Sequence, residues 1–204
     1  MRKKLRLGIM GGTFDPIHYG HLVAAEEALV QFNLDRVVFM PTGVPVRKTH
    51  RAVTSAEHRY LMTVVATASN PDFAVSRMEI ERPGLTYTVD TMLALRAEHG
   101  RSAELYFITG ADAVWEILTW KDSERLADVC TFIAATRPGY DLSRFEQDEV
   151  AKRINVEFME VPALAISSTG IRERIADRRP VRYLLPEAVA AYIAKNDLYR
   201  DVRT

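Results

Sequence analysis

Leu5-Arg6-Leu7-Gly8-Ile9-Met10-Gly11-Gly12-Thr13-Phe14-Asp15-Pro16-Ile17-His18-Tyr19-Gly20-His21 begins as a short apolar strand, breaks on two glycines and runs into a helical pattern over 22–32. Strand, glycine turn and helix in that order form the first half of a βαβ unit. Further along, 36–40 reads as a second buried strand stopped by Pro41, and 56–69 as a helix with Ser55 as its N-cap. Residues 73–80 read as extended, 89–98 as helical, 104–109 as a strand ending at Gly110, and 112–118 as helical. A strand over 129–135 ends at Arg137-Pro138-Gly139, 155–161 is extended, and 169–176 and 186–195 are terminal helices. The alternation predicts an α/β fold, a doubly wound parallel sheet with helices on both faces. It predicts one domain over 1–204, with a small helical C-terminal part over 165–204.

Composition narrows the function classes. The 204 residues are 48% hydrophobic and 26% charged, a globular mixture. Lys plus Arg is 27 and Asp plus Glu is 27, so there is no bulk positive charge for neutralising nucleic-acid phosphates, although local basic clusters remain. Cys130 is the single cysteine, which rules out an intrachain disulfide and a cysteine zinc cluster, and its β-rich surroundings read as core. Met1-Arg2-Lys3-Lys4 resembles the start of a signal peptide, but Arg6 and Gly11-Gly12 interrupt the apolar run behind it. No apolar run approaches the roughly 20 residues of a membrane span. The expected compartment is the cytoplasm, with no membrane or nucleic-acid partner. The oligomeric state is not legible.

Glycines and polar residues gather at the expected strand ends: Gly11-Gly12-Thr13-Phe14-Asp15, Pro41-Thr42-Gly43, Gly110-Ala111-Asp112 and Arg137-Pro138-Gly139. They read either as ordinary βα turns or as one shared site beyond the carboxyl ends of a parallel sheet. Gly11 and Gly12 would let a ligand approach the backbone, and Thr13 offers a hydroxyl. Gly20 and His21 open a helix, whose free amides favour anions. His18 and His21 are three apart and can face the same way. The pair reads as phosphate donors, as satisfied polar residues in a turn, or as two zinc ligands; the zinc reading lacks a third ligand nearby. Downstream, Ser168 and Thr169 precede a helix, with Arg172 four residues after Ser168. This is either a plain cap or a second anion site.

Taken whole, Gly11-Gly12-Thr13-Phe14-Asp15-Pro16-x-His18-x-Gly20-His21 closely resembles the signature of nicotinate-nucleotide adenylyltransferases, members of the nucleotidyltransferase superfamily defined by His-x-Gly-His. Ile166-Ser167-Ser168-Thr169-Gly170-Ile171-Arg172-Glu173-Arg174 resembles that family's second motif, Ile-Ser-Ser-Thr-x-Ile-Arg, which holds ATP. The likeness runs through nearly the entire chain and implies a Rossmann-like sheet. Pro41-Thr42-Gly43-Val44-Pro45-Val46-Arg47-Lys48 resembles the loop Pro-x-x-x-Pro-Pro-His-Lys, with Val46 and Arg47 departing from it. Thr86-Tyr87-Thr88 resembles a segment that touches the mononucleotide; its bland reading is a helix N-terminus capped by Thr88. Gly110-x-Asp112 resembles a segment reaching the nucleotide ribose, Trp120 an aromatic that stacks on the pyridine ring or else a core tryptophan, and Arg137-Pro138-Gly139 a turn on the adenine side.

The resemblance implies adenylyl transfer from ATP to nicotinate mononucleotide, giving deamido-NAD and diphosphate in NAD biosynthesis. It implies His18, His21 and Arg172 as catalytic residues. ATP would meet Gly11, Gly12, Thr13, Phe14, Gly20, Gly110, Asp112, Arg137, Ile166, Ser167, Ser168 and Thr169. The mononucleotide would meet Asp15, Arg47, Lys48, Thr86, Tyr87, Thr88 and Trp120. Magnesium would arrive on the ATP phosphates, without a protein ligand set. Related readings are a phosphopantetheine-type adenylyltransferase, which Thr86-Tyr87-Thr88 and Trp120 speak against, and a non-catalytic nucleotide sensor. Both histidines, Arg172 and Arg174 are present, which disfavours the sensor.

Overall fold

The computed structural model describes residues 3–45, 53–111, 113, 123–141, 154–162 and 164–200. The elements in chain order are β1 (Leu5–Gly12), α1 (Tyr19–Gln31), β2 (Arg36–Pro41), β3 (Val44–Pro45), α2 (Ala56–Thr67), β4 (Phe73–Val75), α3 (Met78–Glu81), β5 (Leu85–Thr86), α4 (Thr88–His99), β6 (Ala103–Gly110), α5 (Ser123–Val129), β7 (Thr131–Thr136), β8 (Val156–Glu160), α6 (Ser168–Ala176) and α7 (Glu187–Lys195). Six strands form one sheet in the order β4-β2-β1-β6-β7-β8. Every pairing in it is parallel. The strands wind outward from β1 through β2 to β4, then from β6 through β7 to β8, so the order reverses between β1 and β6. This is the Rossmann-like arrangement, and in such sheets ligands bind beyond the carboxyl ends of the strands at the reversal. A separate parallel ribbon joins β3 to β5, with Pro45 opposite Thr86.

Alternation along the strands explains the two-sided core. Leu7, Ile9, Leu105 and Phe107 pack with Met92 and Leu95 of α4 and Leu126 of α5. Met10, Tyr106 and Ile108 face the opposite side, with Ala25 and Ala28 of α1 and Met62 of α2. Both faces are covered, so the parallel strands read as almost continuous apolar runs. Ile171 of α6, Val189 and Ile193 of α7, and Tyr199 belong to the second core, which also holds Phe14 and Ile17. The C-terminal segment is thus packed against the turn that follows β1. Among the described residues, no helix is long and apolar enough to cross a membrane.

Several boundaries differ from expectation for local reasons. Residues 73–80 do not stay extended: β4 ends at Val75 and a one-turn helix follows. Ser76 Oγ accepts the Met78 amide at 3.2 Å, and the Arg77 carbonyl accepts from Ile80 and Glu81, both at 2.9 Å. A hydroxyl that bonds its neighbouring backbone turns the chain away from the ladder. The strand expected from residue 129 starts at Thr131, because Val129 ends α5 and the Cys130 amide still bonds the Leu126 carbonyl at 3.0 Å. Helix α1 begins at Tyr19 rather than Leu22, inside the histidine motif. Thr88 is the first residue of α4 and Tyr87 occupies the N-cap position. Ser55 caps α2 as expected, accepting the His58 amide at 3.4 Å. The expected helix over 112–118, residue 113 apart, and the charged stretch over 142–153 lie outside the described residues.

Candidate active site

Strand β1 delivers its final glycines to the switch point, where the sheet register sets Gly12 beside Pro41 of β2. On the other flank, Gly110 of β6 stands beside Ala135 of β7. Besides leaving backbone open to a ligand, as the sequence suggests, the glycine pair has a packing reason. A Cβ on Gly12 would stand 2.8 Å from the Phe14 ring, and one on Gly11 would stand 3.0 Å from Phe107. Phe14 itself takes a left-handed backbone, φ 49°, and is buried at 2% exposure. Its ring meets His21 edge-on at 5.1 Å.

The two imidazoles come together as expected. His18 stands at the N-cap of α1, and its amide donates to His21 Nδ1 at 3.2 Å. That bond assigns the proton of a neutral His21 to Nε2. The rings stack at 3.8 Å with 26° between their planes. Gly20 makes this arrangement fit, because a Cβ there would lie 3.0 Å from His18 Cε1 and Nδ1. His18 is buried, and burial pulls its pKa from 6.5 down to about 4. It is therefore a neutral imidazole at neutral pH. Its buried Nδ1 has no hydrogen-bond partner among the described residues.

The second motif closes onto the first. The cap of α6 is Ser167, one residue earlier than expected, accepting the Gly170 amide at 3.1 Å. This leaves the next hydroxyl for a different bond: Ser168 Oγ donates to the Pro16 carbonyl at 2.9 Å. Arg172, buried at 7% exposure, donates to the Asp15 carbonyl at 2.7 Å and to Thr169 Oγ1 at 3.2 Å. The Asp15 carboxylate is buried, with Oδ1 accepting from the Tyr199 hydroxyl. Ile166 leads into α6, its carbonyl 3.8 Å from the Cβ position of Gly20.

The remaining expected residues are more dispersed. Thr86 is buried on β5, close to Gly43, and its Oγ1 has no hydrogen-bond partner among the described residues. Gly110 is exposed at the end of β6. Arg137 is exposed after β7, in a turn closed by its carbonyl accepting the Tyr140 amide at 3.0 Å. Arg47, Lys48, Asp112 and Trp120 lie outside the described residues. Among the described residues, no three His, Cys, Asp or Glu side chains are grouped to hold a metal ion. Cys130 behaves as core: burial pushes its thiol up to about 12, and Sγ lies 3.5 Å from the Leu126 carbonyl.

A cytidylyltransferase-like family model matches residues 9–174, a span containing both motifs. A probable nicotinate-nucleotide adenylyltransferase of Moorella thermoacetica is 58% identical over 199 residues, covering 96% of this chain and 92% of its own. Another so named, from Streptomyces coelicolor, is 59% identical over 191 residues, covering 94% and 99%. The chain belongs to the nicotinate-nucleotide adenylyltransferase family. The solved structure of Plasmodium falciparum nicotinic acid mononucleotide adenylyltransferase complexed with NaAD shares the fold, with a TM-score of 0.75 at 21% identity. It covers 95% of this chain and 97% of its own.

This nicotinate-nucleotide adenylyltransferase family member carries two further residues at the site that motif reading missed. Arg59, fully buried at 1% exposure, donates to the carbonyls of Thr54, Thr13 and Gly43 at 2.8, 2.8 and 2.9 Å. One guanidinium thereby ties the first-motif turn to the loop after β2. Burial pulls its pKa down while Asp15, Tyr199 and Glu79 hold it up, and an arginine stays charged. Its signal was periodicity: Arg59, Met62, Thr63, Ala66 and Thr67 are the buried face of α2. A cation at a core position of that stripe marks a buried structural charge. Tyr199 lies beyond the last helix and outside both motifs, so nothing local announced it.

Proposed function

We propose that this chain transfers an adenylyl group from ATP to nicotinate mononucleotide, releasing diphosphate and forming deamido-NAD. It thereby serves NAD biosynthesis as a single nucleotidyltransferase domain. The observation that carries the reading is the union of the two motifs at the β1–β6 switch point, through Ser168 to Pro16 and Arg172 to Asp15. A mononucleotide phosphate oxygen attacks the α-phosphorus of ATP. A new P–O bond forms as the bond to the β-phosphate oxygen breaks, and the electron pair leaves with diphosphate. The attacking phosphate is already anionic, so no protein nucleophile or general base is required. The work of the protein is alignment and stabilisation of charge on phosphoryl oxygens. Magnesium enters with ATP as part of the substrate.

In this reading His18 and His21 donate N–H bonds to the ATP phosphates, His18 as a neutral dipole. Arg172 supplies positive charge from beneath the motif and braces Asp15. ATP runs along Gly11 to Phe14, Gly20, Gly110, Asp112, Arg137 and the 166–169 segment. The mononucleotide meets Thr86, Tyr87, Thr88, Arg47, Lys48 and Trp120. Asp15 acts on it through the shape of the turn, since its carboxylate is buried at 2% exposure. Diphosphate release, with nicotinate mononucleotide, nicotinamide mononucleotide and phosphopantetheine offered in turn beside ATP, tests the assignment. Nicotinate mononucleotide is expected to give the highest kcat/KM; turnover with phosphopantetheine alone contradicts it.

A further inference from the structure

The end of the chain returns to the first motif. After α7, Asp197 and Tyr199 both take left-handed backbone conformations, φ 51° and 67°. Non-glycine residues seldom adopt this conformation, and the surrounding structure must hold them in it. The path brings Tyr199 into the core at 6% exposure, where its hydroxyl donates to Asp15 Oδ1 at 2.8 Å, across 184 residues of sequence. The Thr54 side chain bonds the same hydroxyl. Thr54 is in turn held through its carbonyl by Arg59, which also grips Thr13, two residues before Asp15. Asp15 is thus fixed twice, through its carboxylate by Tyr199 and through its carbonyl by Arg172. Burial keeps the tyrosine hydroxyl protonated and therefore a donor. A carboxylate buried this deeply is costly without a partner, and it would move its turn to find one.

We propose that Tyr199 is a positioning residue for adenylyl transfer: by holding the Asp15 carboxylate it sets the turn that carries His18 and His21. The inference rests on the adenylyl-transfer reading. A residue that only supports the fold would lower the melting temperature and leave turnover per folded molecule intact. A positioning residue lowers kcat while ground-state binding survives, because reacting atoms tolerate little misplacement.

Tyr199→Phe keeps the ring in place and removes the hydroxyl. With ATP and nicotinate mononucleotide, its kcat should fall about tenfold, with each KM within about twofold of the parent. Thr54→Val, which keeps both Tyr199 and Asp15, should give a smaller fall of the same kind and decides the matter if Tyr199→Phe does not fold. Ile193→Val, in the same core at 4% exposure, should lower the melting temperature without changing kcat. Parental kcat in folded Tyr199→Phe, or an equal kcat loss in Ile193→Val, overturns the inference. A parent that releases no diphosphate under these conditions contradicts the adenylyl-transfer reading instead.

Discussion

Gly20→Ala would place a methyl 3.0 Å from the His18 ring, which must then shift by a few tenths of an ångström. The ring stack with His21 moves with it. We expect a loss in kcat of about tenfold at nearly unchanged stability, measured by steady-state kinetics beside thermal melting. His18→Ala removes the donor altogether and should cost on the order of 10²–10³ in kcat. Turnover near the parental value in His18→Ala would contradict the role. Residue-scale pH behaviour has two opposed contributors. His18 has a folded pKa of about 4 against an ordinary 6.5, so its contribution to stability is present above pH 6.5 and is lost as pH falls to 4. Glu79, buried beside the Thr91 hydroxyl, is pushed up by burial to about 7 from 4.5. Its contribution is present below pH 4.5 and is lost as pH rises to 7. The two offset each other across the same window. Relative to the parent, Glu79→Gln should lose melting temperature as pH falls from 7 to 4.5, and His18→Gln should gain it. Parallel pH profiles for all three proteins would contradict this.

At the scale of elements, α6 is both a wall of the site and a clamp on it. Arg172→Ala removes the bond to the Asp15 carbonyl and leaves that buried carbonyl short of a donor, which costs about 1–3 kcal/mol. The KM for ATP should rise more than that for the mononucleotide, and Arg172→Lys should not restore it, because a point charge cannot span Asp15 and Thr169. A change confined to the mononucleotide KM would place the motif on the other substrate. Most elements were legible because apolar period and punctuation agreed, as in β1, β2, β6 and α2 with its Ser55 cap. The sequence spacing also makes legible that His18 and His21 share one side of the turn, where their rings stack at 3.8 Å. Ser168 was not, since its bond to Pro16 is decided by a residue 152 positions away. At Gly12 the sequence suggests room for a ligand but not the packing need beside it, a Phe14 ring 2.8 Å from where a Cβ would stand, because no pattern signals the left-handed φ of Phe14. The split of 73–80 into β4 and α3 turned on one serine hydroxyl, too local for a periodicity argument.

At the scale of the molecule, the strand order places the two glycine-ended strands β1 and β6 side by side, and the C-terminal segment folds back so that both motifs share one turn. Alternating strands and helices made the sheet legible. The return of Tyr199 to Asp15 was not, because long-range closure leaves no local pattern. The central claim is that this centre directs an attacking phosphate to the α-phosphorus of ATP. The most direct measurement follows ATP labelled at the α-phosphate or at the γ-phosphate in the presence of nicotinate mononucleotide. The account predicts that α-label appears in deamido-NAD while γ-label appears only in diphosphate, in equal amounts. Gamma-label in the mononucleotide product, or α-label remaining in ATP while diphosphate is absent, would contradict it.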